Sequence, residues 1–200
     1  NERTVLAFLV VLLAARLAAG AVLIPPWQGP GGPQHVFQIT LIAGGYPLQS
    51  SAEAALVSSM YRHGWWEHYQ RPRPSIPPKT FLEGPAKVTE VRGAPGGPLL
   101  FHVMAGAAFR RAGIGDVERQ FWWLRFSSAA MAMLTFGVLY AANRLTFGLD
   151  AGLASAAIVA LQPQFLLVSL SANPDAAVVL LGALMWLAAA LVLTGRSVAL

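Results

Sequence analysis

Residues 5–24 read VLAFLVVLLAARLAAGAVLI, and Pro25-Pro26-Trp27 follows at once. At 1.5 Å per residue these twenty positions make about 30 Å of helix, the thickness of a bilayer's hydrocarbon core. A secretory leader has a shorter apolar stretch and a small-residue cleavage site, whereas prolines stand here, so the run reads as a retained transmembrane helix. Arg16 interrupts it. An arginine at that depth is costly unless it faces a bundle or a wet cavity, so its partner is expected on another helix or a lipid phosphate.

Working outward, three further apolar runs cover about 122–145, 149–170 and 176–193. Gly148-Leu149-Asp150 links the first two tightly, and Asn173-Pro174-Asp175 links the last two. Pro163 lies inside the 149–170 run, where it should bend the helix and release a backbone carbonyl; Gln162 and Gln164 flank it. The fold class is therefore all-α: a polytopic membrane helix bundle. Its organisation is a first span at 1–24, a long loop with interfacial helices at 25–121, and three spans within 122–200. Composition agrees. Hydrophobic residues make up 56% of the 200 and charged residues 12%, with mean hydropathy +0.54, against about 25% charge in an ordinary soluble domain.

There is no cysteine, which excludes disulfides, thiolate metal sites and cysteine nucleophiles. The net charge of +5 comes without any run of basic residues, so nucleic acid is not an expected partner. Arg3, Arg144 and Arg196 flank spans on one side and the Asn-Pro-Asp corner carries no basic residue, which puts the amino terminus inside and the long loop outside. The nine Lys and Arg of that loop do not overturn this, because long loops cross largely regardless of charge. The chain opens on Asn1 and stops just past an apolar run; it reads as processed, truncated or a fragment of a longer protein.

Within the loop, residues 34–43 and 98–112 have the spacing of short helices, the second lying along the interface. Residues 51–69 read as a surface helix capped by Ser50 or Ser51, with Leu56, Val57 and Met60 on one face. Tyr61, Trp65, Trp66 and Tyr69 fit an interfacial aromatic belt. Residues 71–97 are proline-rich and read as extended.

Four stretches carry a resemblance: Pro30-Gly31-Gly32-Pro33-Gln34-His35-Val36-Phe37, Met60-Tyr61-Arg62-His63-Gly64-Trp65-Trp66, Pro98-Leu99-Leu100-Phe101-His102 and Ser171-Ala172-Asn173-Pro174-Asp175-Ala176. In this order, with one span, a long outer loop and closely linked helices, the chain resembles the amino-terminal portion of GT-C class integral-membrane glycosyltransferases. Within that class it is similar to bacterial mannosyltransferase-like and related membrane proteins. The resemblance implies sugar transfer from a polyprenyl-phosphate-linked donor at the outer face of the bacterial cytoplasmic membrane. In that family the first loop reads Pro-Asp-Glu-Pro-x-His and its acid serves as the base that activates the acceptor hydroxyl. Here Gly31 and Gly32 stand in place of the acids, so the resemblance implies a silent relative or a substitute residue.

The catalytic candidates are His35 and Asp175. His35 either accepts a proton or caps and orients its loop; Asp175 either binds a metal or an acceptor hydroxyl or simply caps the last span. Gly31, Gly32, Gln34 and Asn173 are substrate-binding candidates. Arg62 and Arg125 are candidates for donor phosphate or lipid headgroups, being bidentate phosphate ligands when not merely solvated. Glu53 reads as a dipole partner at a helix start rather than a base. A divalent cation is an open cofactor, and the metal ligands are unknown. The expected partners are the bilayer, the lipid-linked donor and a membrane protein partner. The competing reading is a non-catalytic membrane scaffold or lipid-carrier-binding subunit of a larger complex.

Overall fold

The computed structural model describes residues 1–29, 31–44, 49–80 and 99–195. Pro30 of the hinge, Pro98, most of the proline-rich stretch and Arg196 lie outside the described residues. Among the described residues the helices are α1 (Glu2–Leu23), α2 (Gly32–Gly44), α3 (Gln49–Arg62), α4 (Trp65–His68), α5 (Leu99–Ala112), α6 (Val117–Phe147), α7 (Leu149–Leu161), α8 (Pro163–Ser169) and α9 (Asp175–Leu193). No strand occurs among them. The chain forms two compact units. A span unit holds Asn1–Leu23, Ser127–Leu170 and Asp175–Leu200; a loop unit holds Ile24–Phe126 and Ser171–Pro174.

In the span unit, α1, α6 and α9 are each long and apolar enough to cross a membrane, and α7 with α8 makes a fourth candidate span bent by 65°. Helix α6 has 31 residues, about 46 Å at helical rise, well beyond the hydrocarbon core. Its stretch from Ser127 onward suffices to span, and its first turns belong to the loop unit. Helix α1 buries Leu9, Leu13, Leu17 and Gly20 as one stripe and leaves Val5, Phe8, Val11, Val22 and Leu23 exposed. Helix α9 buries only Ala176, Ala183 and Ala190. Small residues inside and large apolar residues outside suit a lipid solvent, where close backbone packing, not oil–water partition, holds helices together. Glu2 at the start of α1 pairs with Arg144 near the end of α6 at 2.6 Å and accepts from the Tyr140 hydroxyl.

The bend between α7 and α8 explains Arg16. Gln162 is extended and Pro163 has no N–H, so the last carbonyls of α7 lack the donors that a continuous helix would bring. The Arg16 guanidinium donates to the carbonyl of Ala160, in that last turn. The proline kink and the intramembrane cation, expected separately from the sequence, satisfy each other.

The loop unit has a core of its own. Trp27, Val36, Phe37, Ile39, Leu56, Val57, Met60, Trp65, Trp66, Phe109 and Phe121 are buried in one cluster. Helices α2 and α5 run parallel with a nearly constant offset: His35 meets His102, and Arg110 donates to the carbonyls of Ile42 and Ala43, capping the end of α2. Gly106 permits this close approach. A Cβ there would stand 2.6 Å from Ile42 Cγ2 and 3.1 Å from the Ile39 carbonyl oxygen.

Two details of the 51–69 reading are corrected. Helix α3 begins at Gln49, so Ser50 and Ser51 sit in its first turn rather than at its cap. The helix breaks at Gly64, whose φ is +67°. Trp65 and Trp66 are buried in the core, not displayed as an interfacial belt, because their rings join the apolar cluster of the loop unit.

Candidate functional site

The site is built around the hinge that follows α1. Pro25 and Pro26 cannot continue the helix, so the chain turns out of α1 leaving carbonyls to be satisfied. Arg125 does this: it donates to the carbonyls of Ile24 at 2.7 Å and Pro25 at 3.3 Å. Its guanidinium lies over the rings of Phe121 and Trp122, at 4.6 and 5.1 Å, and the residue is 1% exposed. Trp27 adopts φ +70°, a region costly for a bulky residue. It is held there by its fully buried ring, 4.6 Å from Phe121, and by the bond from Nε1 to Ser59 Oγ at 2.9 Å.

Ser59 in turn donates to Glu118 at 2.6 Å, which also accepts from Arg62 at 2.6 Å and lies 3.3 Å from His63. These bonds, the one from Ser59 foremost and then that from Arg62, hold the Glu118 carboxyl below its ordinary value. Glu118 precedes the stretch of α6 that spans. Arg62 is 60% exposed along its side chain and is spent on this pair.

Past the hinge, Gly31 takes φ +67°, which glycine adopts at little cost. Gly32 and Pro33 then open α2, proline being well suited to a first turn. Gln34 and His35 follow, both half-buried. The His35 ring packs against Gly31: a Cβ built on Gly31 would be 3.2 Å from His35 Nε2 and Cδ2. A Cβ on Gly32 would meet nothing within 4 Å. The two glycine positions are therefore unequal, one closed by the imidazole and one open.

The other nitrogen of His35, Nδ1, is 2.8 Å from Nε2 of His102, and the ring centroids are 5.1 Å apart. His102 is 1% exposed. Gly29 brings the hinge against the corner between α8 and α9, since a Cβ there would stand 2.5 Å from Ser171 Oγ and 3.3 Å from Ser171 Cα. Ser171 and Asn173 are buried with it. Gly31, Gly32, Gln34, His35, Asn173 and Arg125 thus all belong to the loop unit, with Arg125 bonded to the hinge carbonyls. Arg62 belongs to the same unit but answers to Glu118. Asp175 is exposed and opens α9 in the span unit.

Sequence reasoning gave no role to His102, Glu118 or Trp27. No sequence signal marked His102: its meeting with His35 follows from the register of α2 and α5, in which Gly106, four residues after His102, lies against Ile39, four after His35. Among the described residues no group of three or more His, Cys, Asp or Glu side chains is placed to hold a metal ion. A cavity of about 450 Å³, lined by Thr40, Leu41, Phe109, Arg110 and Gln120 among others, lies at the far end of α2 from His35.

No curated protein and no solved structure matches the chain. One family model, described as dolichyl-phosphate-mannose-protein mannosyltransferase, matches residues 112–199. That stretch carries Arg125, Asn173 and Asp175; the Gly31–His35 segment, Arg62 and His102 precede it. The apolar helices, with the bent pair as a fourth candidate span, make the chain an integral membrane protein, and over residues 112–199 it is similar to the GT-C type mannosyltransferases of that family, as the resemblance implied.

Proposed function

We propose that the chain transfers a sugar from a polyprenyl-phosphate-linked donor to an acceptor at the outer face of the bacterial cytoplasmic membrane, with residues 25–121 on that face. The observation that carries this reading is the contact of the hinge with the Ser171–Asn173 corner. It brings the segment that resembles the family's catalytic loop against the segment that lies inside the family match. His35, Gly31, Gly32, Gln34 and Asn173 line the acceptor side in this reading. Asp175 stands nearby in sequence as a second polar group, and Arg125 and Arg62 are the cations this reading assigns to the donor phosphate, beyond the bonds they make to the hinge and to Glu118. The Glu2–Arg144 pair supports the orientation, because it joins the amino terminus to the basic link after α6. Without the acidic pair, transfer is impaired relative to a carboxylate-bearing member, since a sugar hydroxyl needs its proton taken as it attacks.

The test is a lipid-linked sugar transfer assay on the chain in nanodiscs, comparing wild type with Gly32→Glu. Position 32 has room for the side chain, whereas Gly31→Asp must bear φ +67° beside His35. Gly32→Glu should raise the transfer rate, and the double variant should add little. No gain, together with no binding of the donor, refutes the reading. In that case the alternative is a non-catalytic scaffold or carrier-binding subunit, favoured by the imidazole packed where a carboxylate would project from Gly31. It predicts a stable co-purifying membrane partner and no sugar transfer.

A further inference from the structure

We propose that the side of α6 formed by Arg119, Trp122, Trp123 and Phe126 is a phospholipid site: the guanidinium binds the phosphate of an anionic headgroup, and the rings pack along the upper acyl chain. The four residues follow one another at i, i+3, i+4 and i+7, the spacing that puts side chains on one side of a helix. They line a single groove of about 250 Å³, and all belong to the loop unit. Trp122 and Phe126 are stacked, with centroids 5.9 Å apart, and Trp123 and Phe126 are 60% and 57% exposed. Arg119 is exposed. Its backbone N–H is bonded to Asp116, but among the described residues its side chain has no hydrogen bond or ion pair. Arg125 is the contrasting case, buried and bonded to the hinge carbonyls.

The charge pattern of α6 says what covers this groove. Arg125 and Arg144 bracket an uncharged stretch, residues 126–143, which makes about 27 Å of helix, close to the thickness of the hydrocarbon core. Phe126 then stands at the edge of the hydrocarbon, and Trp122 and Trp123 about 5 Å beyond it, where indole rings settle. Arg119 is one turn further out, and its flexible stem brings the guanidinium to the headgroup layer, about 5–7 Å thick on each side. The site needs neither sugar transfer nor a particular orientation of the chain. Its chemistry favours an anionic diester. A guanidinium pairs two N–H groups with two phosphate oxygens. In phosphatidylcholine the quaternary ammonium beside the phosphate is repelled by the same guanidinium, whereas phosphatidylglycerol adds only hydroxyls. A lipid-linked sugar is served less well, because apart from Arg119 and the indole N–H groups no polar side chain lines the groove.

The experiment is quenching of tryptophan fluorescence in the full chain, reconstituted in phosphatidylcholine vesicles doped with lipid brominated high on the acyl chain. There are six tryptophans, so the Trp123 signal is taken as the difference between each protein and its Trp123→Phe counterpart. Brominated phosphatidylglycerol should half-quench that signal at about fivefold lower mole fraction than brominated phosphatidylcholine, the factor expected for one basic residue at an anionic surface. Arg119→Gln should bring the two lipids together, and Arg119→Lys should keep most of the difference. Equal quenching by the two lipids in wild type, or a preference that survives Arg119→Gln, overturns the proposal. Absence of Trp123 quenching by either lipid shows the face covered by protein or standing off the membrane, and overturns it as well. Unbrominated polyprenyl phosphate that relieves the quenching at lower mole fraction than unbrominated phosphatidylglycerol would reassign the groove to a lipid-linked donor. Relief by inorganic phosphate would make it a site for the free anion. Either result refutes the phospholipid assignment.

Discussion

Gly106→Ala tests the joint on which the imidazole pair depends. Each methyl–methyl contact wants about 3.5–4.0 Å, but the new Cβ would lie 2.6 Å from Ile42 Cγ2 and 2.8 Å from Ile42 Cβ, with the Ile39 carbonyl 3.1 Å away. Ile42 cannot yield by turning a chain end, because its own Cβ and a backbone oxygen are in the way, so α2 and α5 must separate by close to 1 Å. Overpacking of this kind costs up to about 3 kcal/mol, and replacing a helical glycine returns about 1 kcal/mol, leaving a loss of about 2 kcal/mol. The same movement stretches the His35–His102 bond from 2.8 Å past the range of a hydrogen bond. Equilibrium unfolding in detergent reports the first effect, and the His35 ring nitrogens report the second. Ile42→Gly removes both nearest contacts, so in that background Gly106→Ala should cost little, giving a coupling of about 1–3 kcal/mol. Refutation would be a Gly106→Ala protein at least as stable as wild type with its imidazole pair intact, for then helix propensity outweighs a contact that the packing makes decisive.

Three other perturbations follow from the same geometry. Arg16→Leu leaves the Ala160 carbonyl unsatisfied in an apolar setting and should cost about 1–3 kcal/mol, measured by unfolding in detergent. Adding Pro163→Ala should restore most of it by letting the helix run on, so that the Gln164 N–H meets that carbonyl, and equal stability of wild type and Arg16→Leu would sink the account. Arg125→Lys cannot reach the Ile24 and Pro25 carbonyls with one fork and should lose about 2 kcal/mol; a neutral result would show that the hinge does not need the guanidinium. Glu118, whose native value is depressed, contributes stability that is fully present above the unfolded value of about 4.3. That contribution is lost as pH falls through the lower native value. At 34% exposure it is worth less than about 1 kcal/mol, and an acid unfolding curve for Glu118→Gln that overlays wild type would remove it.

The spans were legible because each is a long apolar run with at most two charges, and a bilayer accommodates such runs at this composition. The bend at Pro163 was legible for a local reason, the missing N–H. What was not legible depended on partners distant in sequence. The period that marked Leu56, Val57 and Met60 as one face cannot say what covers the face, so Trp65 and Trp66 read as interfacial until α2 and α5 supplied a core. The same holds for His35 and His102, whose meeting needed the parallel register of two helices. Trp27 at positive φ lay beyond sequence reasoning altogether, because a tertiary pocket, not a local preference, holds it there.

These distinctions bear on where chemistry can reside. In the span unit Arg16 closes the carbonyl opened by the bend at Pro163, and Arg144 and Tyr140 close on Glu2 at a helix start. In the loop unit Arg125 serves the hinge carbonyls, and Arg62 neutralises Glu118. The imidazole pair differs from all of these. It joins α2 to α5 by a bond between a half-buried ring and a buried one, and a buried polar ring is costly unless it is hydrogen-bonded.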